Sequence, residues 1–236
     1  MTTNNIEFQD ADVVFVADMF REDYAGGAEL TTDALFTTSP VKAFKLRSSQ
    51  VTQEAIGAGM QKTWVFFNFR EMDHNLIPVI IQNLNYFVVE YDYKFCAYRS
   101  LDLHLRETGN PCNCHEEQIG KIISTFYVGA EKVFWMSHEQ KAVYQERFPF
   151  LDDEKTTVLS SVFNVYDLEQ MEKLHDSRKE KGDNGKYAVV DGRSWIKGLE
   201  ETQAHLTENN IEFDVLSNLS YNDLLRKLSE YKGLAF

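Results

Sequence analysis

Cysteine, proline, positive charge and long apolar runs are all scarce in this chain. Three cysteines among 236 residues, an odd count clustered between positions 96 and 114, are too few for a disulfide framework and fit reduced thiols. The four prolines build no low-complexity tract, and no internal repeat is present. Lysine and arginine total 24 against 37 acidic residues, a formal net charge of -13. Such a surface repels nucleic-acid backbones and anionic membranes, so nucleic acid is not an expected partner. No apolar run approaches the roughly 18 residues that span a bilayer, and no apolar segment precedes a small-residue cleavage site near Met1. No membrane span is expected, and the expected location is cytoplasmic.

What is present is a hydrophobic content of 43% with 13% aromatics, enough to bury one large core or two modest ones. Apolar β-rich runs recur at 13–17, 41–46, 64–67, 86–89, 133–136 and 156–159. Their apolarity is continuous rather than alternating, which predicts strands buried on both faces. Between them, Ile119, Ile122, Ile123, Phe126 and Tyr127 form one stripe of an amphipathic helix. Ser137 followed by Gln140 is a capping-box signature. Alternating strands and helices predict a parallel α/β sheet of Rossmann type, covered on both faces, over residues 1–165.

A charged, apolar-poor run over 166–185 reads as an exposed helix and turn between two domains. The β/α rhythm then restarts over 186–236, with strands at 187–190 and 211–216, helices at about 198–209 and 221–231, and the opening of a third strand at 233–236. A doubly wound domain normally carries more strands, so this second Rossmann-like domain is expected to be partial.

Two turns carry the chemistry. After the first strand, Gly26-Gly27-Ala28-Glu29 opens a helix, where free N–H groups and the helix dipole favour an anion; a plain turn is the other reading. After the strand at 187–190 come Gly192, Arg193, Lys197 and Gly198, a glycine turn with two cations in an acidic protein. It reads as a phosphate-binding turn or as solvated surface. Trp195, inside this turn, could pack on a ligand or anchor the loop.

Together these turns, in matching strand-to-helix positions on either side of a charged linker, resemble a GT-B glycosyltransferase. The similar group is the retaining, nucleotide-sugar-dependent one with bacterial and bacteriophage members. The resemblance spans nearly the whole chain, and the two turns are its motifs. It implies an acceptor-type N-terminal domain and a donor-type C-terminal domain. Gly26 and Gly27 would approach the donor diphosphate, and Arg193 and Lys197 would bind its phosphates; the family usually spaces that pair five residues apart, here four. The implied partners are a nucleotide-sugar donor and an acceptor of unspecified kind, a glycan, a lipid or another molecule. No cofactor and no divalent metal are implied, because the cations would neutralise charge growing on the leaving diphosphate. The family's glutamate pair would fall beyond Phe236, so the resemblance also implies a truncated donor domain and weak or no activity for this chain by itself.

Asp92, in the loop Glu90-Tyr91-Asp92-Tyr93, reads first as a strand-end turn residue and second as an acceptor base. Cys96, His104, Cys112, Cys114 and His115 are five potential metal ligands within twenty residues. They read as a structural zinc site or as reduced, partly buried cysteines near a Pro111 turn, and in neither case as catalytic. A rival function class is a noncatalytic α/β binding or assembly protein that keeps the fold without the donor site. A dinucleotide enzyme ranks last, since no Gly-x-Gly-x-x-Gly follows the first strand and no Walker pattern is present.

Overall fold

The continuous apolar runs become parallel strands packed from both sides, most completely at the centre of the sheet. Val13–Ala17 (β1) is buried at every residue. It pairs with Ala43–Arg47 (β2) on one side and Thr63–Phe66 (β3) on the other. Asn85–Glu90 (β4), Lys132–Trp135 (β5) and Thr156–Val158 (β6) complete a six-stranded sheet of order β2-β1-β3-β4-β5-β6, parallel throughout. The structure is a computed structural model that describes residues 7–192 and 197–236. Its two compact units run up to Asn164 and from Val165 to Phe236.

The helices of the first unit are Gly27–Thr37 (α1), Gln53–Ala58 (α2), Ile77–Asn83 (α3), Leu101–Thr108 (α4), Gln118–Gly129 (α5) and His138–Arg147 (α6). Successive strand residues point to opposite faces, and the two faces are packed unequally. Val14, Val16, Trp64, Phe66, Tyr86, Val88, Val133 and Trp135 meet Ile56, Ile77, Ile80, Ile123, Phe126, Tyr127 and Tyr144 from α2, α3, α5 and α6 in the main core. The opposite residues, Val13, Phe15, Ala17, Phe67 and Val89, form a smaller cluster with Leu35 and Phe36 of α1. A groove of about 580 Å³ remains on that face, lined by Val13, Phe15, Leu35, Val65, Phe87 and Leu159 among others. The expected cover on both faces is therefore thick on one side and thin on the other.

At α6 the Ser137 hydroxyl accepts from the Gln140 N–H at 3.1 Å. Gln140 Oε1 accepts from the N–H of Met136 at 2.8 Å, one residue before the cap, so the capping box is shifted by one position.

In the second unit the charged run is a helix, Val165–Lys181 (α7). Tyr187–Val190 (β7), Leu199–Glu208 (α8), Phe213–Leu216 (β8), Tyr221–Leu228 (α9) and Gly233–Ala235 (β9) follow. The strands pair in parallel in the order β8-β7-β9. This is a Rossmann-like arrangement with the unit's first strand at the centre. Its core is small: Ala188, Leu216 and Tyr231, backed by Leu224 and Leu228. Among the described residues no helix is long and apolar enough to cross a membrane.

Candidate functional site

In both sheets the first strand lies between the second and the third, so successive crossovers leave it in opposite directions. The crevice this opens at the carboxyl ends of the strands is where open α/β sheets bind ligands. In the first unit that edge is built around Arg99, a residue at φ 56° in the left-handed region. Its guanidinium bonds Asn68 Oδ1 at 2.8 Å, pairs with Asp92 Oδ2 at 2.6 Å and lies 3.8 Å from Asp18 Oδ2. It thereby ties together the segments that follow β1, β3 and β4. Asp18 is fixed in turn by the Ser48 hydroxyl at 2.5 Å and the Glu71 N–H at 3.1 Å. Asp92 is thus an ion-pair partner, and its second oxygen, buried and without a hydrogen bond, lies 3.7 Å from Lys94 Nζ.

Beneath this layer, Glu90 is fully buried at the end of β4. It takes Lys94 Nζ at 2.6 Å and the hydroxyl proton of Tyr127. Tyr144 lies 3.3 Å from the Tyr127 hydroxyl, accepts from the Lys94 N–H and donates to the Asp92 carbonyl, both at 3.1 Å. Burial pushes the Glu90 carboxyl up to about 7, against the pull of the Lys94 ammonium. Burial also pushes both tyrosines well above their ordinary range.

Gly26 is the N-cap of α1 and has no side-chain cap of its own. Its N–H and that of Glu29 bond the Glu29 carboxylate; burial raises that carboxyl and these bonds lower it. The anion seat of this helix therefore holds the protein's own carboxylate. The two glycines also differ. A Cβ on Gly26 would collide with the Tyr24 ring and the Glu29 carboxylate, whereas one on Gly27 would point into open space.

Beside Arg99 a cavity of about 380 Å³ has Phe69, Ile119 and Ile123 for its apolar wall and Arg70, His74, Lys94 and Arg99 for its polar one. These polar residues were missed in the sequence. The available signal was Glu90 with Lys94, two charges four residues apart at the end of an apolar strand.

In the second unit, the Lys197 side chain lies against Gly192, where a Cβ would come within 2.6 Å of Lys197 Cγ. Both residues are exposed, at the carboxyl end of β7. Gly198 caps α8 at φ 66° without a side-chain hydrogen bond. Arg193 and Trp195 lie outside the described residues.

Of the five potential metal ligands, the fold gathers four. Cys96, His104, Cys112 and Cys114 are buried, with ligand atoms all within 4.8 Å of one another, and the cysteines are unbridged. His115 turns away, its ring edge-on to Phe95 and Phe148.

No protein-family model matches this chain, and no curated protein matches it.

Proposed function

We propose that this protein is a nucleotide-sugar-dependent glycosyltransferase of GT-B type, with its donor diphosphate held in the second unit. The observation carrying this reading is the placing of Gly192, Lys197 and Gly198 between the carboxyl end of β7 and the start of α8. There the central strand of a parallel sheet is followed by a glycine on which the side chain of an exposed lysine packs, and by a helix start with no side-chain cap. Lys197 and Arg193 neutralise the charge that grows on the leaving diphosphate as the sugar-phosphate bond breaks. The acceptor sits in the first unit, in the cavity beside Arg99, where Arg70 and His74 supply polar contacts above an apolar wall. A cytoplasmic, reducing setting goes with the three unbridged cysteines.

Calorimetric titration with UDP, GDP and ADP tests the donor site. Binding that falls by about tenfold in Lys197→Ala and in Arg193→Ala supports it, as expected for loss of a charge-assisted phosphate contact. Unchanged affinity in both variants removes those residues from the site.

A second reading, a noncatalytic binding or assembly protein, is favoured by the first unit's edge. Glu29 fills the α1 N-terminus, and carboxylates pair Arg99 and Lys94. Release of nucleoside diphosphate from a panel of sugar nucleotides, abolished by Lys197→Ala, rejects it.

A further inference from the structure

We propose that Cys96, His104, Cys112 and Cys114 hold one zinc ion in a closed, structural Cys3His site. This inference stands apart from the glycosyltransferase reading and is independent of it.

Distance carries the first step. His104 Nδ1 is 3.5 Å from Cys96 Sγ and 3.5 Å from Cys114 Sγ. A tetrahedral zinc ion with bonds of about 2.3 Å to sulfur and about 2.0 Å to nitrogen sets neighbouring N and S ligands about 3.5 Å apart. Both N–S distances match that spacing, as a shared central ion would set them.

Chemistry carries the second. Three sulfurs and one imidazole nitrogen are a soft donor set, which selects zinc and rejects magnesium and calcium. Four protein ligands fill the tetrahedron and leave no position for substrate or water, so the ion is structural rather than catalytic.

The fold supplies the reason for a metal here. The stretch from 91 to 117 between β4 and α5 contains one helix of eight residues, α4. The four ligands clamp the start of that stretch (Cys96), its helix (His104) and its end (Cys112 and Cys114). Local capping aims them: Ser100 caps α4 at the Leu103 N–H, and Gly109 closes it at φ 71°. Gly120 in α5 has no Cβ to collide with the Cys114 carbonyl, so the chain end carrying Cys112 and Cys114 can lie against that helix. Cys96 also lines the cavity that holds Lys94 and Arg99. The ion therefore fixes the backbone from which these two positioning residues reach Glu90, Asp92 and Asp18.

The test is metal analysis of the full chain purified in reducing buffer without chelator. One equivalent of zinc per chain is expected, along with thiols that react only after a strong chelator is added. Cobalt should replace it and give the intense visible bands of tetrahedral thiolate coordination. Cys112→Ser and His104→Ala should each reduce retained zinc by more than about tenfold, whereas His104→Cys, which restores a fourth soft ligand, should retain it. If a ligand-deleted variant does not fold, the wild-type melting temperature with and without chelator gives the answer: a fall on chelation supports the site. A folded wild type without zinc, whose melting temperature and thiol reactivity zinc leaves unchanged, overturns the proposal. So does zinc retained at full stoichiometry in both ligand-deleted variants.

Discussion

Lys94 Nζ lies 2.6 Å from Glu90 Oε1, and the two side chains are 4% and 0% exposed. Neither charge reaches water, so each depends on the other, and Glu90 also on the Tyr127 hydroxyl. Breaking a buried pair by removing one partner is strongly destabilising, because the remaining charge is left uncompensated. Glu90→Gln and Lys94→Met should each lower unfolding free energy by about 3–5 kcal/mol. The double variant should lose clearly less than the sum, and chemical denaturation of all four proteins measures the coupling.

The same pair gives the protein a pH signature. Burial raises the Glu90 carboxyl from 4.5 to about 7, so the folded state binds this proton more tightly than the unfolded chain does. The stability that this difference contributes is fully present below about pH 4.5 and is lost as pH rises to about 7, a change of about 3 kcal/mol. In wild type minus Glu90→Gln, unfolding free energy should fall across that window and be flat above it. A difference curve with no slope between pH 4.5 and 7 refutes the assignment.

Arg99 holds the segments after β1, β3 and β4 through Asp18, Asn68 and Asp92. Nη2 serves both Asn68 and Asp92 while Nη1 faces Asp18; lysine keeps the charge but not the second arm, so a single ammonium cannot hold all three partners in this geometry. Arg99→Lys should cost about 1–2 kcal/mol and Arg99→Ala about 2–3 kcal/mol, the latter leaving Asp92 without its closest cation. Melting curves order the three proteins. Equal stability of wild type and the Arg99→Lys variant would show that the fork is not used.

The strands were legible in the sequence for a physical reason. A parallel strand covered on both faces has no solvent side to mark with polar residues, so 13–17 and 187–190 stand out as apolar runs. The stripe at Ile119, Ile122, Ile123, Phe126 and Tyr127 marked α5 equally well. Short helices such as α2 and α3, six and seven residues long, have too few turns to show a period. The edge around Arg99 was hidden because its partners at 18, 68 and 92 are far apart in sequence and only the sheet brings them together. Sequence could not choose between the two histidines of the cluster: His115 follows Cys114 directly, yet the chain aims His104, ten residues earlier, at the cysteines. Glu29, three residues after Gly26, was a readable helix-start signal, and its carboxylate is what caps α1.

Gly27 separates folding from ligand binding. A methyl group there meets nothing within 4 Å, and alanine is the better residue in a helix. Gly27→Ala should therefore keep or raise stability by up to about 1 kcal/mol. If Gly27 faces the donor diphosphate, the same variant should bind nucleoside diphosphate more weakly. Thermal unfolding and titration on one sample decide the matter, and unchanged affinity removes Gly27 from the donor site.

Gly120 offers the converse case, a position where a methyl group must displace backbone. Its Cβ would overlap the Cys114 carbonyl and the backbone of His115, and neither can swing aside as a side-chain tip could. Overpacking of this kind costs about 1–3 kcal/mol. The strain falls on the chain that carries Cys114, so Gly120→Ala should weaken zinc retention in a chelator competition while leaving all four ligands in place. Gly57, which has open space around its Cα and also sits in a helix, is the control: Gly57→Ala should retain zinc like wild type. Equal zinc retention by the Gly120 and Gly57 variants would show that the approach of α5 to Cys114 does not set the geometry of the cluster.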